Sequence, residues 1–305
     1  MKIQVIVTCA AKKTVDVPEE LQFGKLPTLP VTESVDEWVN RLKSTDVDLV
    51  KMIDLYKGGY WNIVKDINQN SKVDNVWVLS AGYGIININQ SVKPYAIALK
   101  DNSYDSIKLN TKGQNKQSYS QWWDIIATKR KISITDIYNQ NPDDIFIVYA
   151  SFEYMKAIKN DFINIVDKPN VLIVSPDTKI KEFIPHILNT NLRLRSFLGG
   201  NKMTVSSLTV KHLVENIDKI GYTKDKINAY FEDIIKKQPE LPPMNPVRKK
   251  LNDEDFIKLL LEIGINNPKT SIIKEVNNRG YASGVNRTTR ILNQLRKENF
   301  ELTTK

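Results

Sequence analysis

Residues Asn75–Ile86 read NVWVLSAGYGII. The first half, Asn75–Leu79, is a short apolar burst of the kind that fills a buried strand. The second half turns small and flexible through Ser80, Ala81, Gly82, Tyr83 and Gly84. Glycines at the end of a core strand predict a place where another group approaches the backbone closely.

Working outward, three further β-branched bursts stand at Ile3–Val7, Ile145–Val148 and Val171–Val174. Each is short, continuous and bounded by polar residues, as parallel strands covered on both faces are. Helical apolar spacings lie between them, over Val35–Tyr56, Tyr119–Lys129 and Phe152–Asn164. Strand alternating with helix predicts an α/β fold with a four-stranded parallel sheet sandwiched by helices.

The segments at the strand exits are more informative. TCAAKKT comes after the first strand, SAGYG after the second, YASFEY after the third and SPDTK after the fourth. Ligands of open parallel sheets bind at the carboxyl ends of the strands. The exits therefore nominate Cys9, Lys12 and Lys13 from the first strand, Ser80–Gly84 from the second, and Ser151, Ser175 and Asp177 from the others. Loops are rich in such residues anyway, but four exits of the same character favour a site.

The chain has 305 residues, of which 41% are hydrophobic and 26% charged, which bounds it to an ordinary globular class with one sizeable core and a small appended domain. No apolar run reaches transmembrane length, and the N-terminal apolar stretch, with lysines directly after it, reads as a first strand rather than a signal peptide. One cysteine forbids an internal disulfide, and two histidines beside it argue against zinc. No metal, no cofactor and no membrane partner are expected, and the expected setting is cytoplasmic. The formal net charge of +9 points to a polyanionic partner.

Downstream, Gly199, Gly200 and Asn201 turn the chain into a helical run and offer an anion site at its start. Four prolines, Pro239, Pro242, Pro243 and Pro246, then predict an extended linker over residues 238–252. It separates an α/β domain over 1–237 from a basic helical domain over 253–305. In the latter, helical patterns run Asp253–Ile263 and Lys269–Asn278, before a last helix carrying Ile291, Leu292 and Leu295. Three short helices joined by tight turns resemble a helix-turn-helix module. Lys274, Arg279, Arg287, Arg290, Arg296 and Lys297 are its candidate phosphate contacts, and double-stranded DNA is the expected partner.

VTCAAKKT, DLYKGGYW, VWVLSAGYGII, PYAIA, YDSI and LGGNKMTVSSL, in that order, resemble a bacterial group termed YaaA-like, over Met1 to about Ile217. NRGYASGVNRTTRILNQL resembles the basic helical tail of such proteins. The group is similar to uracil-DNA-glycosylase-like α/β sandwiches, some of whose relatives excise modified bases from phage DNA in antiviral defence. The resemblance therefore implies chemistry at a nucleobase–sugar bond. Two hallmarks are missing: TCAAKK replaces the Gly-x-Asp-Pro-Tyr loop, and Ser175-Pro176-Asp177 lacks the histidine of the His-Pro-Ser loop.

The resulting expectation is a DNA glycosylase acting on a flipped, modified base. The alternatives are a non-catalytic DNA-binding sensor, or a transferase modifying bases of RNA or nucleotides. In the glycosylase reading Tyr83, Tyr95 and the small residues around them line the base pocket, while Lys12 and Lys13 cradle a phosphate. Cys9 packs there rather than attacks, because no histidine stands near it in sequence. Asp105, within the family-like YDSI segment, is the candidate catalytic carboxylate, with Asp177 second; an aspartate that precedes a helical run also caps helices.

Overall fold

The computed structural model describes residues 2–112, 118–175, 180–240 and 248–303. The chain divides into two compact units, Met1–Pro239 and Glu240–Lys305.

The first unit is built on a five-stranded sheet. Its strands are β1 (Ile3–Thr8), β2 (Val73–Ser80), β3 (Gly84–Asn87), β4 (Ile145–Tyr149) and β5 (Val171–Ile173). They lie in the order β3-β2-β1-β4-β5. All neighbours are parallel except β2 and β3, which run antiparallel with Ser80 opposite Gly84 and Leu79 opposite Ile85. All six residues of β1 are buried, because this central strand is covered on both faces. The four apolar bursts are thus the four parallel strands. The expected four-stranded sheet is corrected to five, since Gly84–Asn87 folds back as an edge strand.

The unit's helices include α1 (Val31–Ser44), α2 (Gly59–Asn68), α3 (Ser118–Arg130), α4 (Ile134–Gln140), α5 (Phe152–Ala157), α6 (Lys159–Phe162), α7 (Val205–Ile220) and α8 (Lys224–Lys237). One packed group joins α3 to α1, α5 and α6, and another joins α2 to α7. Trp38, Trp61, Trp122 and Trp123 are fully buried among them.

The helical pattern over Val35–Tyr56 does not continue as one helix. It stops at Thr45, which is extended, and the Lys93 ammonium donates to the main-chain oxygens of Lys43 and Thr45. A cation on the last carbonyls satisfies the acceptors a helix end leaves over. The β-branched, Asp-rich STDVD beyond it has poor helical propensity.

In the second unit, α9 (Asp253–Ile263), α10 (Lys269–Asn278) and α11 (Val285–Thr303) enclose their own core. Phe256, Leu260, Ile272, Val276 and Leu292 lie at its centre. Asn252 caps α9 by accepting from the Asp255 amide at 2.8 Å. Residues 241–247 of the expected proline-rich linker lie outside the described residues.

Candidate functional site

The chain passes from β1 to β2 on one side, then crosses back beyond β1 to β4. Neighbouring exits of β1 and β4 therefore flank the point where strand order reverses, which is where open α/β sheets hold ligands. Cys9 stands at the first exit and Tyr154, on α5, beyond the second. The Cys9 Sγ and the Tyr154 hydroxyl are 3.1 Å apart.

Around this contact gathers a set of tyrosines. The Tyr95 hydroxyl hydrogen-bonds the Tyr56 hydroxyl at 2.6 Å and the Ser80 Oγ at 2.5 Å. Tyr60 donates to the Thr8 carbonyl at 2.7 Å. Burial holds Tyr56, Tyr60, Tyr95 and Tyr154 well above the usual phenol range, with Cys9 adding to the effect at each. These are neutral phenols that donate or share protons.

Lys13 enters the same cluster. Its ammonium sits 5.6 Å from the Tyr56 ring centre and 5.4 Å from that of Tyr95. The backbone there is fixed: Lys13 bridges Tyr56, Lys57 N–H donates to the Lys12 oxygen, and Thr14 N–H donates to that of Leu55. Burial pulls the Lys13 pKa down, and Cys9 and Asp105 oppose the shift. The Asp105 Oδ1 accepts from the Gly24 amide at 2.9 Å, and the Asp105 main-chain oxygen accepts from Ala98. Its other carboxylate oxygen has no partner among the described residues. Asp105 forms no ion pair with Lys13, yet it is near enough to act on its charge.

The Ser80–Gly84 turn differs from its expectation. Its backbone is satisfied from within the fold: Trp122 donates to the Ala81 oxygen at 2.7 Å and Trp38 to the Gly82 oxygen at 2.8 Å. The Ala81 amide donates to the Tyr154 hydroxyl, and those of Gly82 and Tyr83 donate to the Ser80 Oγ. A Cβ on Gly82 would meet the Tyr95 ring at 2.6 Å, and Gly84 has φ +71°. The glycines serve the hairpin and the close packing of Tyr95, not the approach of a ligand to free amides.

Tyr83 is likewise corrected. It is only 6% exposed, packs edge-on to Tyr95, donates to the Lys93 oxygen and carries the Arg130 guanidinium over its ring. Burial pushes its phenol up to about 12. It offers no free face on which a base could stack.

The remaining exit residues separate by role. Ser175 is buried and donates to the Ala150 oxygen at 2.9 Å, tying one exit to another. Ser151 and Lys12 are exposed, and Asp177 lies outside the described residues. The Gly199–Asn201 anion site is not formed. The Asn201 amide donates to the Thr204 Oγ1, the Met203 amide to the Asn201 Oδ1, and the Thr204 and Val205 amides to the Asn201 oxygen.

The second unit also spends its arginines internally. Arg287 donates to Asp253 and to the Leu251 oxygen, and stacks on Phe256 at 4.4 Å. Arg296 donates to the oxygens of Ile265 and Asn267. Arg279 pairs with Glu275 and Glu262, and Arg290 with Asp253. Lys274 and Lys297 have no partner among the described residues.

A cleft of about 1220 Å³ is lined by Asp101, Lys108, Tyr119, Asp124, Lys156 and Lys159, among others. None of Cys9, Lys13, Tyr95 or Asp105 lines it, and Lys108–Asp101 and Lys159–Glu182 are ion pairs. The cluster at the strand reversal is the better candidate, because there a half-buried amine lies over two structured phenols and the Asp105 carboxylate is near enough to act on its charge.

Sequence reasoning missed Tyr56, Tyr60 and Tyr154. All three stand in the segments DLYKGGYW and YASFEY, but nothing in their spacing tells them from core tyrosines. No family model, no curated protein and no solved structure matches the chain. No helix among the described residues is long and apolar enough to cross a membrane.

Proposed function

We propose that the chain cleaves the N-glycosidic bond of a modified nucleobase in DNA. On this reading the first unit is a uracil-DNA-glycosylase-like sandwich, and the second a helix-turn-helix-like module that binds the duplex. The observation that carries the reading is the set at the strand reversal: Asp105, with one carboxylate oxygen unengaged among the described residues, near the Lys13 amine beside Tyr95 and Cys9. Glycosidic cleavage builds positive charge at the sugar C1′, so it needs an ionised carboxylate held close and little else from the protein. Asp105 is that carboxylate, positioned by the Gly24 amide. The phenols of Tyr56, Tyr95 and Tyr154 remain protonated and, through the Tyr56–Tyr95, Tyr95–Ser80 and Tyr154–Cys9 bonds, form the structured floor on which the Lys13 amine rests. The net charge of +9 supports a nucleic-acid partner, with Lys274 and Lys297 among the exposed cations of the second unit open to phosphate.

A non-catalytic reader of DNA is the second reading. It is favoured by the Ser80–Gly84 turn, whose engaged amides leave no backbone cradle for an anion there. Incubating the chain with genomic DNA of differing base modification, then adding an aldehyde-reactive probe for abasic sites, separates the two. Binding without abasic sites on any genome selects the reader.

A further inference from the structure

A lysine drawn into a fold is ordinarily paired with a carboxylate, since leaving its charge among apolar atoms is costly. Lys13 breaks that pattern. Its Nζ donates no hydrogen bond to any described residue and faces two aromatic rings instead. Its neighbour Lys12 is exposed, so the difference lies in placement and not in composition. The main chain on both sides of Lys13 is fastened to the segment before α2, which fixes where the amine emerges. Asp105 lies near without pairing.

We infer that Lys13 is the nucleophile of the site, attacking the deoxyribose C1′ to form a covalent imine with DNA. The inference rests on the glycosidase reading and replaces water as the attacking group. The neutral amine forms the N–C1′ bond as the C1′–base bond breaks. The base leaves with that electron pair and takes the proton shed by the new ammonium. The nitrogen lone pair then forms the C1′=N double bond as C1′–O4′ opens, and O4′ takes a proton from solvent. Water later hydrolyses the imine, restoring Lys13 and leaving an abasic aldehyde. Burial favours the neutral form of the amine that the first step requires, and Asp105 stabilises the charge at C1′.

The test uses the full chain and a duplex with one preformed abasic site, whose aldehyde needs no base recognition, in the presence of cyanoborohydride. The expected result is a covalent protein–DNA adduct that peptide mass mapping places on Lys13. In a folded Lys13→Arg variant the adduct falls at least tenfold, while Lys168→Ala, at an exposed position, leaves it unchanged. No adduct, or one that maps elsewhere or survives Lys13→Arg, overturns the inference; mapping on the wild type decides even if the variant fails to fold. Abasic sites formed in modified genomes without any trapped adduct would leave the glycosidase reading standing and assign the attack to water. Absence of both would remove both.

Discussion

The Cys9 sulfur and the Tyr154 hydroxyl, 3.1 Å apart, join the exits of two strands through residues 145 positions apart in sequence. The same hydroxyl accepts from the Ala81 amide at 3.1 Å, so one phenol ties three strand ends together. The site is thereby a product of the sheet's topology: only the order β2-β1-β4 brings these three exits side by side.

Gly82 tests the packing role assigned to the turn. In Gly82→Ala the new methyl meets the Tyr95 ring at 2.6 Å and Ile97 at 3.1 Å. Overpacking of this kind costs about 1–3 kcal/mol. Denaturant titration should show that loss with an unchanged slope; unaltered stability would mean the ring has room to move.

The arginines and lysines of the second unit should behave differently. Arg287→Ala removes the stacking on Phe256 and the bond to the Leu251 oxygen, at about 1–2 kcal/mol. Replacing Lys274 and Lys297 with Ala should leave stability alone and lower the slope of log affinity against log salt by about two units. A salt slope untouched by the double lysine variant would put the DNA surface elsewhere.

Acid should weaken the second unit. Arg287, then Arg290, holds the Asp253 carboxyl below its usual range. A carboxyl depressed in the folded state binds fewer protons there than in the unfolded chain, so its contribution is full above the unfolded value. It is lost as pH falls through the folded one. Amide exchange of α9 and α11, corrected for intrinsic rate, should show protection falling below about pH 4, and Asp253→Asn should remove that dependence.

The parallel strands were legible because β-branched runs buried on both faces leave a continuous signature, as Ile3–Val7 and Val171–Val174 do. The edge strand Gly84–Asn87 was not, since its pairing is set by the tight turn and the ring of Tyr95 rather than by alternation. Lys13 was legible as a candidate from its place after a strand. Its burial was not, because adjacent Lys12 has the same chemistry and only the bridge to Tyr56 tells them apart. The helical patterns over Asp253–Ile263 and Lys269–Asn278 matched the observed bounds, yet the internal engagement of Arg287 and Arg296 depends on contacts between helices that spacing along one helix cannot reveal.

Asp105 is the residue on which the functional account turns. Asp105→Asn keeps an oxygen to accept from the Gly24 amide and removes the negative charge. On a genome that the wild-type chain converts to abasic sites, the variant should bind with unchanged affinity and form those sites at least 100-fold more slowly, roughly the size of one lost electrostatic contact to a transition state. Abasic sites appearing at the wild-type rate in a folded Asp105→Asn chain would contradict the account.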